Sequence, residues 1–331
     1  LAKSLIPRLL SLGFSVRGFE SEAVDNPIED VEYLTGDITK SSTMSEITHG
    51  VDHIFHLPGR HPEDKGPSGQ NREGKDLTTT IKLANIAKSL EVISFVYLSS
   101  SEVYGIPRRI LISEKEKRRP ISRRGKDLLR IEDYLINTMA TRGIGVVIVR
   151  TPPITGWGAP RESFPSLVHA AKRALTGRSL LLVGGGKYSV QYVDVEDLAS
   201  ALVRSIRKVK PGCLTLNVAA EDVISQRDLA DFFIDFYHSS SGIIRLPAAA
   251  IPFVGFLRGL GTPPFATESH FLFYPQTIID TFMAKELLLY SPKRTVESIS
   301  EMLKSWDLEG TEGGPGPTGR GYGVLFRDLE K

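Results

Sequence analysis

The chain has 331 residues, 41% of them hydrophobic, and a formal net charge of +2, which is enough apolar material for a large core in one or two domains. Its basic residues are not gathered into a patch interleaved with aromatics, which excludes nucleic acid as the natural partner. A single cysteine, Cys213, excludes a disulfide framework and multi-cysteine metal motifs and suits a reducing compartment such as the cytoplasm.

In chain order, Leu1 to Leu12 has apolar residues at helical spacing and is closed by Gly13, so the sequence opens inside a helix. FSVRGFE, 14–20, is a strand ending on Glu20. VEYLTGD, 31–37, is a second strand, and a helical stretch from Ser41 leads to a third, VDHIFHL, 51–57. A long helix over 76–90 precedes FVYLSSSEVYG, Phe95 to Gly105. That stretch is a short apolar run with β-branched and aromatic residues, passing into three serines, an acid and a Tyr-Gly turn. It predicts a buried parallel strand with small hydroxyls at its carboxyl end. Lys126 to Met139 is helical and VVIVRTP, 146–152, is the next strand. Strands alternating with helices at this spacing predict an α/β fold, a doubly wound parallel sheet, with residues 1–150 as its dinucleotide-binding domain.

Beyond residue 150 the pattern loosens into short helices, a glycine turn at LVGGGK, the stretch VQYVDVEDLASALVRSI and a strand at CLTLNVA. Residues 151–308 are expected to form a smaller substrate-binding domain with segments returning to the sheet. LPAAAIPFVGFLRGLG from Leu246 falls short of the roughly 18 apolar residues that a membrane span needs. It predicts short helices over a pocket, with residues 246–260 available for peripheral membrane contact. Residues 309–331 are Gly/Pro-rich, lack periodicity and predict a disordered tail.

Ligands of open α/β sheets bind outside the carboxyl ends of the strands, which makes the hydroxyls after Leu98 candidates for a site. Glu20 stands where a dinucleotide fold places an acid to accept hydrogen bonds from the adenine ribose. Its neighbours Ser21 and Glu22 include no arginine to take a 2′-phosphate, which favours NAD over NADP.

Together with GDI at Gly36 to Ile38, HLPG at His56 to Gly59, SSSEVYG and RTPPITG at Arg150 to Gly156, the chain from Leu1 to about Trp306 resembles the extended short-chain dehydrogenase/reductase superfamily. That superfamily has a Rossmann-type sheet and includes nucleotide-sugar epimerases and dehydratases as well as 3β-hydroxysteroid dehydrogenases. The resemblance implies NAD as cofactor, with Asp37 and Ile38 against adenine and Leu57, Pro58 and Gly59 in the turn after the following strand. It implies Ser100 orienting a substrate oxygen, Lys126 holding the nicotinamide ribose, and Pro152 and Pro153 beside the cofactor. It also implies a helix-mediated homodimer.

Within the superfamily, Val190 occupies a place where nucleotide-sugar enzymes carry an arginine for the diphosphate. Together with the apolar 246–260 segment, it resembles the hydroxysteroid and sterol-carboxylate branch. The leading expectation is therefore an NAD-dependent dehydrogenase acting on a sterol or other lipophilic alcohol, in the cytoplasm at the surface of the endoplasmic reticulum membrane. The alternatives are a nucleotide-sugar epimerase or dehydratase, and a catalytically silent NAD-binding or scaffolding member.

Three departures qualify this resemblance. The first strand and its glycine-rich turn are absent ahead of Leu1, which would leave an open slot in the sheet and predicts a truncated sequence. Ser122 stands four residues before Lys126, where the family carries the catalytic tyrosine, which places turnover in question. The helix before the central strand opens with DLTTT, Asp76 to Thr80, where the family has a glycine. The basic run KEKRRPISRRGK around Ser122 is expected to be a solvated loop entering a helix.

Overall fold

The structure, a computed structural model, describes residues 1–24, 26–58, 75–183, 186, 187, 189–247, 277–306 and 321–328. Seven strands form one sheet: β1 (Phe14–Glu20), β2 (Val31–Thr35), β3 (His53–His56), β4 (Ser94–Ser100), β5 (Gly145–Thr151), β6 (Gly212–Asn217) and β7 (Gly321–Asp328). Their order across the sheet is β6-β5-β4-β3-β7-β1-β2. All neighbours are parallel except at β7, which runs antiparallel to both β1 and β3.

The helices wrap both faces, as right-handed crossovers between parallel strands require. α1 (Ala2–Ser11) and α6 (Val195–Ile206) cover one face, burying Leu5, Leu9, Leu198 and Leu202 against Val96 and Val147. α2 (Ser41–Thr48), α3 (Lys75–Ser89) and α4 (Arg123–Tyr134) cover the other, over Phe95, Tyr97 and Ile148. β5 is buried along its whole length, as an inner strand covered on both faces should be.

A third cluster holds the later part of the chain together. It joins α5 (Pro165–Leu175), α7 (Gln226–Phe236) and α9 (Thr295–Trp306) around Phe164, Phe233, Ile299 and Trp306. The short α8 (Phe282–Leu288) packs instead on α6 through Ala284 and Leu288.

The tail is the main departure from expectation. Residues 321–328, expected to be disordered, form β7 and fill the slot between β1 and β3 that the sequence left open. Phe14 pairs with Asp328 and Gly18 with Val324, while Phe326 pairs with His53 and Gly323 with His56. The physical reason is that β1 and β3 each present an unpaired row of backbone groups, and Leu325, only 2% exposed, closes the core beneath them.

Smaller differences lie at element ends. The helix predicted over 126–139 begins at Arg123 and widens into a π turn over Leu135–Met139. Of the apolar 246–260 segment, only Leu246 and Pro247 are described; Leu246 ends a strand (Ile243–Leu246) parallel to Leu180–Val183. No helix among the described residues is long and apolar enough to cross a membrane.

Candidate functional site

Sequence order reverses on either side of β7, with β1 and β2 to one side and β3 and β4 to the other, which makes the carboxyl edge at this point the fold's natural ligand crevice. Glu20 closes β1 there, half-buried, with its carbonyl accepting from the Gly36 amide at 3.2 Å. Gly321 and Gly323 of β7 lie level with Glu20 and Phe19, at a register shift in β1.

Asp37 is exposed on the same edge. Its Oδ1 accepts from the Thr39 amide at 2.9 Å and the Thr39 hydroxyl at 2.7 Å, which fixes the turn that follows β2. Ile38 and Leu57, each 6% exposed, point into the two cores and can meet a ligand only through their backbone. Pro58 is half-buried, Gly59 lies outside the described residues, Pro152 is buried and Pro153 half-buried. The Pro153 carbonyl accepts from the Val193 amide at 3.1 Å.

Ser100 ends β4 and its Oγ accepts from the Glu102 amide at 3.3 Å, capping the tight turn Ser101–Tyr104. Gly105 follows with φ +65°, and a Cβ there would sit 1.7 Å from the Arg119 carbonyl oxygen, so the 106–119 loop returns flush against the turn. Gly105→Ala is therefore expected to cost more than about 1 kcal/mol through combined strain and overlap. A thermal melt equal to that of the wild type would show that the loop does not close there.

Ser122 is the N-cap of α4: its Oγ accepts from the Gly125 amide at 2.9 Å and donates to Glu102 Oε2 at 2.8 Å. Arg124 Nη1 meets Glu102 Oε1 at 2.5 Å. The carboxylate of Glu102 is thus held by a hydroxyl and a guanidinium.

The rotation of α4 is set by Glu132, which is fully buried. Its carboxylate accepts from Ser99 Oγ at 2.6 Å, from Arg118 Nη1 at 3.0 Å, and from Arg150 Nε at 3.1 Å and Nη2 at 2.7 Å. Arg150 Nη1 also donates to the Tyr104 hydroxyl at 3.0 Å, and that hydroxyl donates to Asn217 Oδ1 at 2.6 Å. Burial pushes the Tyr104 phenol up to about 12, with Arg150 opposing. Tyr104 is a tied packing residue.

Leu128 and Arg124 lie one and two turns before Glu132 on its side of the helix, while Lys126 lies about 120° around the axis. Leu128 is buried and Lys126 exposed. Burial pushes the Tyr97 phenol on β4 above its ordinary value, and Arg124 is the charge that most opposes this, as expected of a guanidinium over the same strand. The structure thus brings Ser100, Glu102, Ser122 and Arg124 together and turns Lys126 away. Lys126, expected at the nicotinamide ribose, is exposed and lies off the α4 stripe that carries Arg124, Leu128 and Glu132.

The segment after the glycine turn also reads differently in three dimensions. Val190 is 2% exposed, pairs with Ile224 and packs beside Phe164 and Tyr192. Gln191 is buried too, donating to the Ala220 carbonyl at 2.5 Å and accepting from the Ile279 amide at 2.8 Å. Neither side chain is free to line a substrate cavity, which corrects the expectation drawn from Val190.

The sequence profile of the NAD dependent epimerase/dehydratase family matches residues 1–219. An uncharacterized protein of Sinorhizobium fredii, y4nG, is 26% identical over 311 residues, covering 91% of this chain and 74% of the relative. UDP-glucose 4-epimerase of Thermotoga maritima, solved with UDP-glucose, has a TM-score of 0.72 at 19% identity, covering 92% of this chain and 95% of that one. UDP-glucuronic acid 4-epimerase of Bacillus cereus, solved with UDP-glucuronic acid and NAD, has a TM-score of 0.69 at 18% identity, covering 92% and 94%. At these identities the likeness to solved structures is one of fold.

Proposed function

The chain belongs to the NAD dependent epimerase/dehydratase family, and from that premise we propose that it binds a nucleotide sugar in the switch-point crevice beside NAD, with proton transfer strongly weakened. The observation that carries this reading is the burial of Val190 in the core. That residue was the local argument for a lipophilic alcohol, and the apolar segment that seconded it lies outside the described residues beyond Pro247. What the described edge offers is polar and charged: Glu20, Asp37, Ser100, Glu102 and Arg124. The UDP-sugar epimerases of like fold support the same ligand class.

The donor set fits the adenosine half of NAD, with an acid at the end of β1 next to the switch point. When bound, NAD supplies a hydride acceptor. The other half fits less well. A phenol and a lysine four residues apart can face the end of β4 together only from the stripe that carries Arg124 and Leu128. An arginine keeps its proton at any physiological pH and a leucine has none to give. Losing a positioned acid-base lowers rate by about 10²- to 10⁴-fold, so epimerisation of UDP-glucose is expected at that reduced level or below detection.

Thermal unfolding with NAD and either UDP-glucose or a sterol panel tests the ligand class. Saturating nucleotide sugar at a hundredfold excess over Kd is expected to add roughly 2.7 kcal/mol, read as a rise in Tm. A rise with sterols and none with UDP-glucose would return the assignment to the hydroxysteroid branch.

A further inference from the structure

Arg124 has a use for only one part of its guanidinium. Nη1 is taken by Glu102, whereas Nε and Nη2 make no hydrogen bond among the described residues, and the side chain is 38% exposed. The contrast with its neighbours is instructive. Arg118 spends both terminal nitrogens on Glu132 and Asp133, and Arg150 spends all three nitrogens on Glu132, Tyr104 and the Glu114 carbonyl.

The head of α4 therefore presents a held, charged, half-exposed planar fork, joined through the Glu102 side chain to the turn that Ser100 caps. Its surroundings favour anions: residues 115–126 carry seven basic side chains against one acid. A guanidinium cannot relay a proton, but it recognises a carboxylate bidentately, which a hydroxyl cannot reproduce.

Position limits what that anion can be. β4 lies two strands from the switch point marked by β7, about 10 Å along the sheet. The dinucleotide's pyrophosphate belongs at the switch point. The group that meets Arg124 is thus at the far, reacting end of the ligands.

Resting on the nucleotide-sugar reading above, we infer that Arg124 is a specificity residue that receives a carboxylate borne by the sugar, so that the chain selects acidic nucleotide sugars over neutral ones. Glu102 and Ser122 act as its positioning residues. They hold Nη1 of the fork and leave Nε and Nη2 without a hydrogen bond among the described residues.

Calorimetric titration of the full chain with UDP-glucuronic acid and with UDP-glucose, each in the presence of NAD, tests this. One charge-assisted bidentate contact predicts that the acidic sugar binds about tenfold tighter or better, and that Arg124→Gln brings the ratio of the two affinities close to one. Arg124→Lys, which keeps the charge but loses the fork, is expected to retain only part of the preference. Far-ultraviolet melts of both variants confirm that the folded protein is being titrated. Equal affinities in the wild type, or a preference that survives Arg124→Gln, would overturn the inference while leaving the nucleotide-sugar reading intact. Failure of both sugars to bind would overturn that reading, and this inference with it.

Discussion

Alanine in place of Arg150 is expected to lower the unfolding free energy by about 3–5 kcal/mol, because it leaves the Glu132 carboxylate buried without its main counter-charge. Both side chains are almost wholly enclosed, at 3% and 0% exposure. The pair is bidentate, and its partners extend the loss in three directions. Ser99 on β4, Tyr104 in the following turn and the Glu114 carbonyl in the 106–119 loop all depend on the same two groups. Burial alone would depress the Arg150 guanidinium, yet its hydrogen bonds to Glu132 and the charge of that carboxylate outweigh the penalty and raise it.

Arg118 also holds Glu132 from the partly exposed loop, which keeps the cost of Arg150→Ala towards the lower part of the range. Adding Glu132→Gln removes the stranded charge, so the double variant should be more stable than Arg150→Ala alone. Urea denaturation at neutral pH measures both effects. A loss below about 1 kcal/mol for Arg150→Ala would mean that water reaches Glu132 and that the network is not a closed one.

The second large effect is expected at Leu325 of β7. Leu325→Ala should cost about 2–5 kcal/mol, the range for deleting a buried leucine side chain, and Leu325→Asp more, because it also buries a charge. Arg327, two residues on and exposed, is the control: Arg327→Ala should stay within about 0.5 kcal/mol. Hydrogen exchange gives an independent reading. Amides on the facing edges of β1 and β3, around Val16 to Phe19 and His53 to His56, should lose protection in Leu325→Asp. If Leu325→Asp and Arg327→Ala melt with the wild type, β7 does not occupy the centre of the sheet.

Much of this architecture was legible in the sequence because the signals were periodic. The strand at 14–20 was found at both observed ends, the helix from Ser41 at its observed start, and the start of the strand at Phe95 to within a residue. What was missed had a different origin in each case. The tail was judged by composition averaged over 23 residues, which hid the short apolar run Val324, Leu325 and Phe326 among its glycines. Its partners, β1 and β3, lie at the other end of the sequence, so no local window could connect them.

At the site, the lysine was assigned by matching residue types in order. The phase of α4 is fixed by Glu132, a residue that reads as an ordinary surface acid until Arg150 and Ser99 are brought to it from β5 and β4. Val190 looked like a substrate contact because the pairing with Ile224 that buries it spans 34 residues. Ser122 was read as standing in the place of a catalytic group; its hydroxyl caps the start of α4, a role that a serine just ahead of a helical apolar pattern could have suggested.

The arrival of β7 from residue 321 onward has a consequence for biosynthesis. At about 5–20 residues per second, translation leaves the facing edges of β1 and β3 unpaired for roughly a quarter of a minute to a minute after β3 emerges. Through that interval the nascent chain displays two adjacent rows of backbone donors and acceptors flanked by Val16, Phe19, Ile54 and Phe55, the kind of surface that recruits stray strands. The sheet closes only when β7 leaves the ribosome, so its centre is the last part to pair although it lies between the first strands to emerge.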